Sequence, residues 1–206
     1  VVGEKLFRRA VGTARRLQSP RAVAFAMTGI FHYLTRFREE RIFSVFKTLA
    51  NREVQFYREN SSRDWQWFEN HLTYSNSKLS ESLFYAYALT RDKKYLDIAE
   101  RTLAFLKKVT FGKNYYSPIG QAGWYYRNRE RSYFDQQPED TASMIETKVA
   151  AYQVTKRRTH LADALLAFQW FLGRNHLRQM VYDEVTGGCH DGVGQNTLNL
   201  NQGAES

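Results

Sequence analysis

The sequence predicts an all-α protein in which helical hairpins repeat around an axis, that is, an α/α toroid. Three features of the 206 residues support this prediction: a repeated segment, helical spacing of apolar residues within each copy, and long irregular connections between copies. Strand alternation is absent, apart from a short stretch at Met180 to Tyr182 ahead of the Thr186-Gly187-Gly188 turn. A straight solenoid is the competing architecture, but its connections are usually short and regular.

The repeat is clearest in two segments, because Ala86 to Ala99 align with Ala151 to Ala164 without a gap at an offset of 65. In each copy an apolar helix ends in a short polar turn and a second helix follows. Apolar residues recur three and four positions apart, as on the buried face of an amphipathic helix. They are Leu79, Leu83, Ala86, Leu96, Ala99, Leu103 and Leu106 in the first copy, and Ile145, Val149, Tyr152, Leu161, Ala164, Leu165 and Phe168 in the second. Each copy is therefore predicted to be an αα-hairpin.

A more divergent third copy lies upstream at an offset of 54, with Tyr33 in the place of Tyr87 and Ile42 in that of Leu96. It predicts helices near 21–36 and 39–59. The extra residues between copies form two aromatic connections, 63–76 and 115–137, which hold three of the four tryptophans. Because the scaffold repeats while the connections vary, we expect one face of the array to bind a ligand.

We expect a single domain over residues 1–206, with 1–60 as a basic helical leading segment and 61–206 as the motif-bearing part. Residues 1–60 hold 12 Lys and Arg against 5 Asp and Glu, a balance of +7 in a chain of net charge +9. The solvated face of an amphipathic helix explains Arg8, Arg9, Arg15 and Arg16 better than a nucleic-acid surface does. We therefore expect no nucleic-acid partner.

The chain begins without Met and ends in what resembles the opening of another helix, so we expect it to be a piece of a longer polypeptide. Its longest apolar run, near Ala22 to Leu34, is too short for a membrane span, and no signal-peptide pattern opens the sequence. The single cysteine, Cys189, excludes an internal disulfide and is compatible with a reducing compartment. We expect a soluble, cytoplasmic protein.

Flat rings beside carboxylates and amides in the connections indicate a surface that stacks on and hydrogen-bonds a sugar. Glycoside hydrolysis needs one carboxylic acid and a second carboxylate, and four loop residues are the catalytic candidates: Glu69, Asp135, Asp191 and Glu205. A dry setting beside Trp67 would suit Glu69 to the role of the acid, and an ion pair with an arginine is the alternative. Asp135 either grips a sugar hydroxyl or caps a helix. Spacing does not reveal which two carboxylates face each other.

The candidate substrate-binding residues lie in the same connections: Trp65, Trp67, Tyr74, Asn76, Gln121, Trp124, Tyr125, Gln136, Gln137, His190 and Asn201. The segment from Asp183 to Asp191 mixes glycines with Asp, Cys and His. Turn formation explains it better than a metal site, since adjacent side chains generally diverge. No Gly-rich phosphate loop is present. We expect neither a metal nor a cofactor.

Six ordered blocks resemble a known family: Asp64 to Glu69, Leu72 to Asn76, Pro118 to Tyr125, Phe134 to Pro138, Tyr182 to Gly192 and Asn201 to Ser206. Together they resemble the α/α-toroid domain found, often as a C-terminal fusion, with retaining two-lobed glycosyltransferases. That fold is similar to the six-hairpin glycosidases and to the N-acylglucosamine 2-epimerase group. The resemblance covers about residues 60 to 206. It implies carbohydrate handling in the cytoplasm and a glycosyltransferase domain in the same polypeptide. The donor-site signatures of such a transferase domain are absent from the 206 residues, so we expect that domain to lie outside them.

The leading hypothesis is a domain that binds, and hydrolyses or remodels, an oligosaccharide or a sugar-containing small molecule. A non-catalytic glycan-binding module would use the same surface without turnover. A helical-repeat scaffold for a protein or nucleic-acid partner is the third hypothesis. It would bury Trp65, Trp67 and Trp124 and place the basic leading segment at the interface.

Overall fold

The structure, a computed structural model, describes residues 2–203 and is predominantly helical. Its seven α-helices within that range are α1 (Val2–Ala10), α2 (Pro20–Arg36), α3 (Glu40–Asn60), α4 (Asn76–Thr90), α5 (Lys93–Thr110), α6 (Pro138–Thr155) and α7 (Arg158–Phe168). A 3-10 helix at Val11–Arg16 follows α1. Short turns join α2 to α3, α4 to α5 and α6 to α7, so the three predicted hairpins are present. The predicted bounds of α2 and α3 agree to within one residue.

Strands are confined to two short antiparallel pairs in the described chain. β1 (His71–Leu72) pairs with β2 (Tyr125–Tyr126), and β3 (Gly192–Val193) pairs with β4 (Leu198–Asn199). Near the predicted stretch at Met180 to Tyr182 there are only isolated bridges, Leu172 to Met180 and Tyr182 to Cys189. Within residues 2–203, no helix is long and apolar enough to span a bilayer.

The chain forms two compact units. The first runs up to Glu69 and includes Lys78–Thr102, and the second comprises Asn70–Ser77 and the chain from Leu103 onward. In the first unit, α2 and α3 pack through apolar residues at helical spacing, among them Val23, Met27, Ile30, Phe46 and Leu49, all nearly or fully buried. Pro20 suits the first turn of α2, where the missing N–H has no intrahelical partner to lose.

In the second unit, α6 and α7 pack closely because the residues between them are small. Ala150, Ala151, Ala164 and Ala167 are buried there. Trp170, just beyond α7, is fully buried, and its Nε1 donates a hydrogen bond of 2.7 Å to Gln136 Oε1. A core tryptophan thereby holds the connection that precedes α6.

The sequence repeat is reproduced in the geometry of two hairpin turns. Arg91 and Lys156 occupy equivalent positions, and both have a left-handed φ of 60°. The residue before each, Thr90 or Thr155, donates its hydroxyl to the carbonyl four residues back, at 2.6 and 2.7 Å respectively. The two copies therefore share the way the chain reverses as well as an apolar pattern.

Candidate functional site

A polar cavity of about 510 Å³ in the second unit brings together five of the predicted site residues: Gln121, Asp135, Gln136, Gln137 and Asp191. Apart from Ala122, the β3–β4 hairpin supplies the rest of its lining, including Gly192, Gly194, Thr197 and Asn199. We call it the carboxylate cavity. Segments separated by about 55 residues in the sequence therefore meet at one point, and the carboxylates Asp135 and Asp191 line the same space.

Backbone hydrogen bonds hold these segments together. Gln136 N–H donates to Val193 O at 3.0 Å, and Val193 N–H donates back to Gln136 O at 2.8 Å. Gln121 N–H donates to Asp135 O at 2.9 Å. A Cβ on Gly120 would lie 1.9 Å from Phe134 O, so only glycine allows the two stretches of this connection to approach so closely.

Gln136 contributes to the wall rather than to ligand contact, because its side-chain amide is used inside the protein. It is 2% exposed, and its Nε2 donates to Ser117 Oγ at 3.0 Å and to Tyr133 O at 2.7 Å. Its Oε1 accepts the hydrogen bond from Trp170. This fully bonded amide fixes the position of its neighbour, Asp135.

Asp135 is exposed, and its backbone has a left-handed φ of 57°. That conformation costs a non-glycine residue about 1 kcal/mol, and aspartate tolerates it better than most residues. The N-cap of α6 is Gln137, with no side-chain capping bond, so Asp135 does not cap the helix. Its carboxylate lines the cavity and accepts no hydrogen bond from any described residue.

Gln121 and Gln137 form a linked pair at the rim, where Gln137 Nε2 donates to Gln121 Oε1 at 2.6 Å. This arrangement leaves the side-chain nitrogen of Gln121, Nε2, without a hydrogen bond to any described residue. A donor and the carboxylate acceptor of Asp135 therefore line one space, a combination that matches neighbouring hydroxyl groups on a sugar.

Asp191 is half-buried and anchors the end of the described chain. Its Oδ1 accepts a 3.0 Å hydrogen bond from Gly203 N–H, and its own N–H donates to Asn201 O at 2.9 Å.

Cys189, two residues before Asp191, is not activated as a nucleophile. Burial, with a smaller effect of the Asp191 charge, raises the pKa of the Cys189 thiol. That thiol therefore stays protonated and is a poor nucleophile.

Asp183, in the same segment, has the turn-forming role that its sequence indicates. Its Oδ1 accepts a hydrogen bond of 2.9 Å from Val185 N–H, and its Oδ2 accepts one of 2.8 Å from Gln202 Nε2. These bonds, the Val185 one first, lower the pKa of Asp183 to about 2.

Three predicted residues, Trp65, Trp67 and Glu69, lie in the first unit and do not line the carboxylate cavity. The two indole rings are 3% and 0% exposed, and Trp65 Nε1 donates to Glu69 O at 2.6 Å. Arg21 Nη1 lies 2.5 Å from Glu69 Oε2. The ion pair considered as an alternative for Glu69 is therefore present, and the burial of both rings is what the scaffold hypothesis expected.

The remaining predicted residues of the second unit do not line the carboxylate cavity. Asn76 opens α4, where its Oδ1 accepts a 3.0 Å hydrogen bond from Thr73 N–H. Trp124 is half-buried with a φ of 57°, and Tyr125 in β2 lines a different cavity of about 520 Å³. Tyr74 and Asn201 are exposed, and His190 Nδ1 lies 3.3 Å from Leu200 O. Glu205 lies outside the described residues.

Sequence reasoning missed the β3–β4 hairpin, including Thr197 and Asn199. Gly192 and Gly194 are the signal that the sequence offered, since Cβ atoms there would lie 2.9 Å from Gln136 O and 3.0 Å from Thr197 O. Two alternate glycines followed by Asn and Thr are typical of a tight hairpin. Within residues 2–203, no group of three or more His, Cys, Asp or Glu side chains is placed to hold a metal ion.

Comparison with solved structures identifies the type of fold. A sugar epimerase from a ruminal bacterium matches over 90% of this chain and 48% of its own, with 9% identity and a TM-score of 0.65. The GH76 alpha-mannanase of Bacteroides thetaiotaomicron matches over 82% of this chain and 46% of its own, with 15% identity and a TM-score of 0.57. The fold is of the α/α-toroid type.

That conclusion confirms the predicted fold class and concerns the fold alone, because identities are low. The chain spans about half the length of these two structures. No protein-family model and no curated protein sequence matches it.

Proposed function

We propose that the carboxylate cavity binds a glycan, and that Asp135 and Asp191 act on it as the acid and base of a hydrolytic or remodelling reaction. The observation that carries the proposal is the meeting of these two carboxylates with the Gln121–Gln137 amide pair in one polar cavity. A sugar presents several hydroxyl groups, each a donor and an acceptor. Carboxylates and amides are the side chains that bind such groups.

The comparisons support the same class of ligand, since one similar structure is a sugar epimerase and the other an alpha-mannanase. Two carboxylates are also the minimum that glycoside hydrolysis requires. Asp135 is the better candidate for contact with the ligand, because its carboxylate is exposed and not engaged by the protein. Asp191 is held by Gly203 N–H, which fixes one of its oxygens.

The test is binding and turnover on a panel of oligosaccharides, with Asp135→Asn, Asp191→Asn and Gln121→Ala compared with the unaltered protein. Each substitution removes a charge or donor from the cavity, so we expect affinity to fall about fivefold or more. Glu184→Gln is the matched control, because Glu184 is exposed in a neighbouring turn and does not line the cavity. Equal affinity of the Asp135→Asn variant and the unaltered protein would contradict the proposal.

Turnover separates an enzyme from a glycan-binding module. Product formation that is lost in Asp135→Asn or Asp191→Asn, even at ligand concentrations that saturate the weakened site, supports catalysis. Binding without product from any member of the panel supports the module.

The resemblance to toroid domains fused to glycosyltransferases supports a further part of the proposal, namely that the site serves a cytoplasmic glycosyltransferase of the same polypeptide. Sequencing of the coding region on either side tests it. A nucleotide-sugar donor site is the expected result upstream, and an unrelated reading frame would contradict it. Cell fractionation tests the compartment.

A further inference from the structure

A second cavity of about 570 Å³ lies in the same unit and shares Gln136 with the carboxylate cavity. Aromatic side chains and arginines dominate its lining: Tyr115, Tyr133, Phe134, Arg174, His176 and Arg178. We call it the aromatic-arginine cavity. No predicted site residue other than Gln136 belongs to it.

Two aromatic side chains, Phe134 and His176, lie where the two cavities adjoin. Phe134 precedes Asp135 in the sequence, and its ring meets the His176 ring edge-on with centroids 5.5 Å apart. His176 Nε2 in turn lies 2.9 Å from the carbonyl oxygen of Gly194, which lines the carboxylate cavity. The two cavities therefore adjoin, and a ligand that contacts both linings has to extend beyond a single sugar ring.

The linings carry opposite charge. Two carboxylates and no Lys or Arg line the first cavity, whereas two arginines and no Asp or Glu line the second. Arg178 forms no ion pair with any described residue, and the guanidinium of Arg174 donates to the neutral amide of Gln169. Guanidinium groups without an acidic partner attract anions, and their planar fork fits carboxylate and phosphate oxygens.

The rings of this cavity are held in place although they are exposed. Tyr115 is 54% exposed, yet its ring packs so tightly on Gly112 that a Cβ there would lie 2.2 Å from it. The guanidinium of Arg131 lies 4.4 Å from the ring centroid of Tyr133, which is 55% exposed. Pre-positioned aromatic faces lose little conformational entropy when a sugar ring stacks on them.

We propose that the aromatic-arginine cavity binds an anionic substituent, a phosphate or a carboxylate, carried by the glycan whose neutral part occupies the carboxylate cavity. This inference rests on the proposed function and narrows its ligand to acidic sugars. Repulsion from Asp135 and Asp191 disfavours an anion in the first cavity, whereas Arg174 and Arg178 favour it in the second. The charge difference therefore sets the orientation of the ligand.

Calorimetric titration of the protein with four probes tests the proposal: a neutral hexose-containing disaccharide, its uronate counterpart, its phosphorylated counterpart and inorganic phosphate alone. We expect the two acidic sugars to bind about fivefold or more tightly than the neutral one, with a preference that weakens as salt is added. The tighter of the two identifies the anion as carboxylate or phosphate.

Arg178→Gln is the decisive variant, and Arg158→Gln is its matched control. Both remove one positive charge from the second unit, but Arg158 lies at the start of α7 and lines neither cavity. The preference for acidic sugars should fall in Arg178→Gln, in which only Arg174 remains, and persist unchanged in Arg158→Gln. Equal affinity for neutral and acidic probes, or equal effects of the two variants, would overturn the inference.

The outcomes also separate this inference from the proposed function. If the acidic preference is absent while Asp135→Asn still weakens binding of the neutral probe, the glycan site stands and the anion site does not. If inorganic phosphate binds as tightly as the phosphorylated sugar, and Asp135→Asn changes neither, the cavity binds anions without recognising a glycan. That result would overturn the glycan assignment.

Discussion

Glu53 is an acidic residue at a position of α3 where the helical pattern predicts a buried apolar side chain. It occupies a position on the buried apolar face of α3, is 0% exposed, and neither of its carboxyl oxygens has a hydrogen-bond partner among the described residues. Burial, reinforced by the charge of Glu69 and opposed by Arg21, raises its pKa well above the ordinary value. The raised pKa favours the neutral acid form of Glu53 in the folded protein.

The substitution Glu53→Gln should make stability less dependent on pH. The folded protein keeps a proton on Glu53 that the unfolded chain releases above its ordinary pKa of 4.5, so this group's contribution to stability falls as pH rises from there. Urea unfolding at about pH 5 and about pH 8 measures the effect. The exposed Glu59 of the same helix provides the control Glu59→Gln. Identical pH dependence in the Glu53→Gln variant and the unaltered protein would show that Glu53 is ionised.

Asp163 is expected to stabilise the second unit, because it neutralises a buried lysine. Lys148 is 1% exposed, and its Nζ lies 2.8 Å from Asp163 Oδ2. Asp163→Asn would leave that ammonium group without a counter-charge, at a cost of about 3 kcal/mol in the free energy of unfolding. Lys107, whose side chain is 48% exposed, pairs with the other oxygen of Asp163.

The variant Lys107→Gln is the matched comparison, since it removes an exposed partner of the same carboxylate and should cost less than about 1 kcal/mol. Chemical unfolding of both variants gives the two values. A loss in Lys107→Gln as large as in Asp163→Asn would be inconsistent with burial as the cause.

At the scale of elements, the helices and the connections follow different rules. Helices α2 and α3 begin and end within one residue of their predicted bounds, and the turns after α4 and α6 repeat the same left-handed geometry. The connections have almost no regular structure, so their shape depends on single close contacts such as that of Gly120 with Phe134 O. Because Phe134 directly precedes Asp135, we expect this contact to help place Asp135 in the lining of the carboxylate cavity.

Gly120→Ala should therefore distort the connection before α6 and lower the affinity of the carboxylate cavity, because the new Cβ would overlap a backbone carbonyl. We expect a loss of about 3 kcal/mol in stability, measured by thermal unfolding alongside glycan binding. Gly29→Ala is the control: a Cβ at that position would have open space within 4 Å, and alanine favours the interior of α2. Unchanged binding in Gly120→Ala would mean that the connection adjusts without moving Asp135.

At the scale of the whole molecule, the sequence locates the basic charge but does not reveal which apolar residues stay exposed. The balance of +7 in residues 1–60 already counts Glu4 and Glu39, which pair with Arg8 at 3.0 and 2.6 Å, and one acidic residue from beyond the segment, Glu69, pairs with Arg21 at 2.5 Å. The absence of a nucleic-acid partner stays a prediction. On α7, however, the apolar residues Leu161, Leu165 and Phe168 are 39%, 60% and 47% exposed. The expectation that these residues lie on a buried face is therefore wrong, because helical spacing sets which residues share a face but not whether a neighbour covers it.

The sequence by itself determined the helical hairpins, the equivalence of their turns and the fold class, because apolar periodicity and turn residues act over a few neighbouring positions. Only the tertiary structure decided which connection residues meet. It brought Asp135 to Asp191 and buried Trp65 and Trp67 as core side chains. It also gave Glu69 an arginine partner, because contacts between distant segments depend on the packing of the whole unit and leave no periodic trace in the chain.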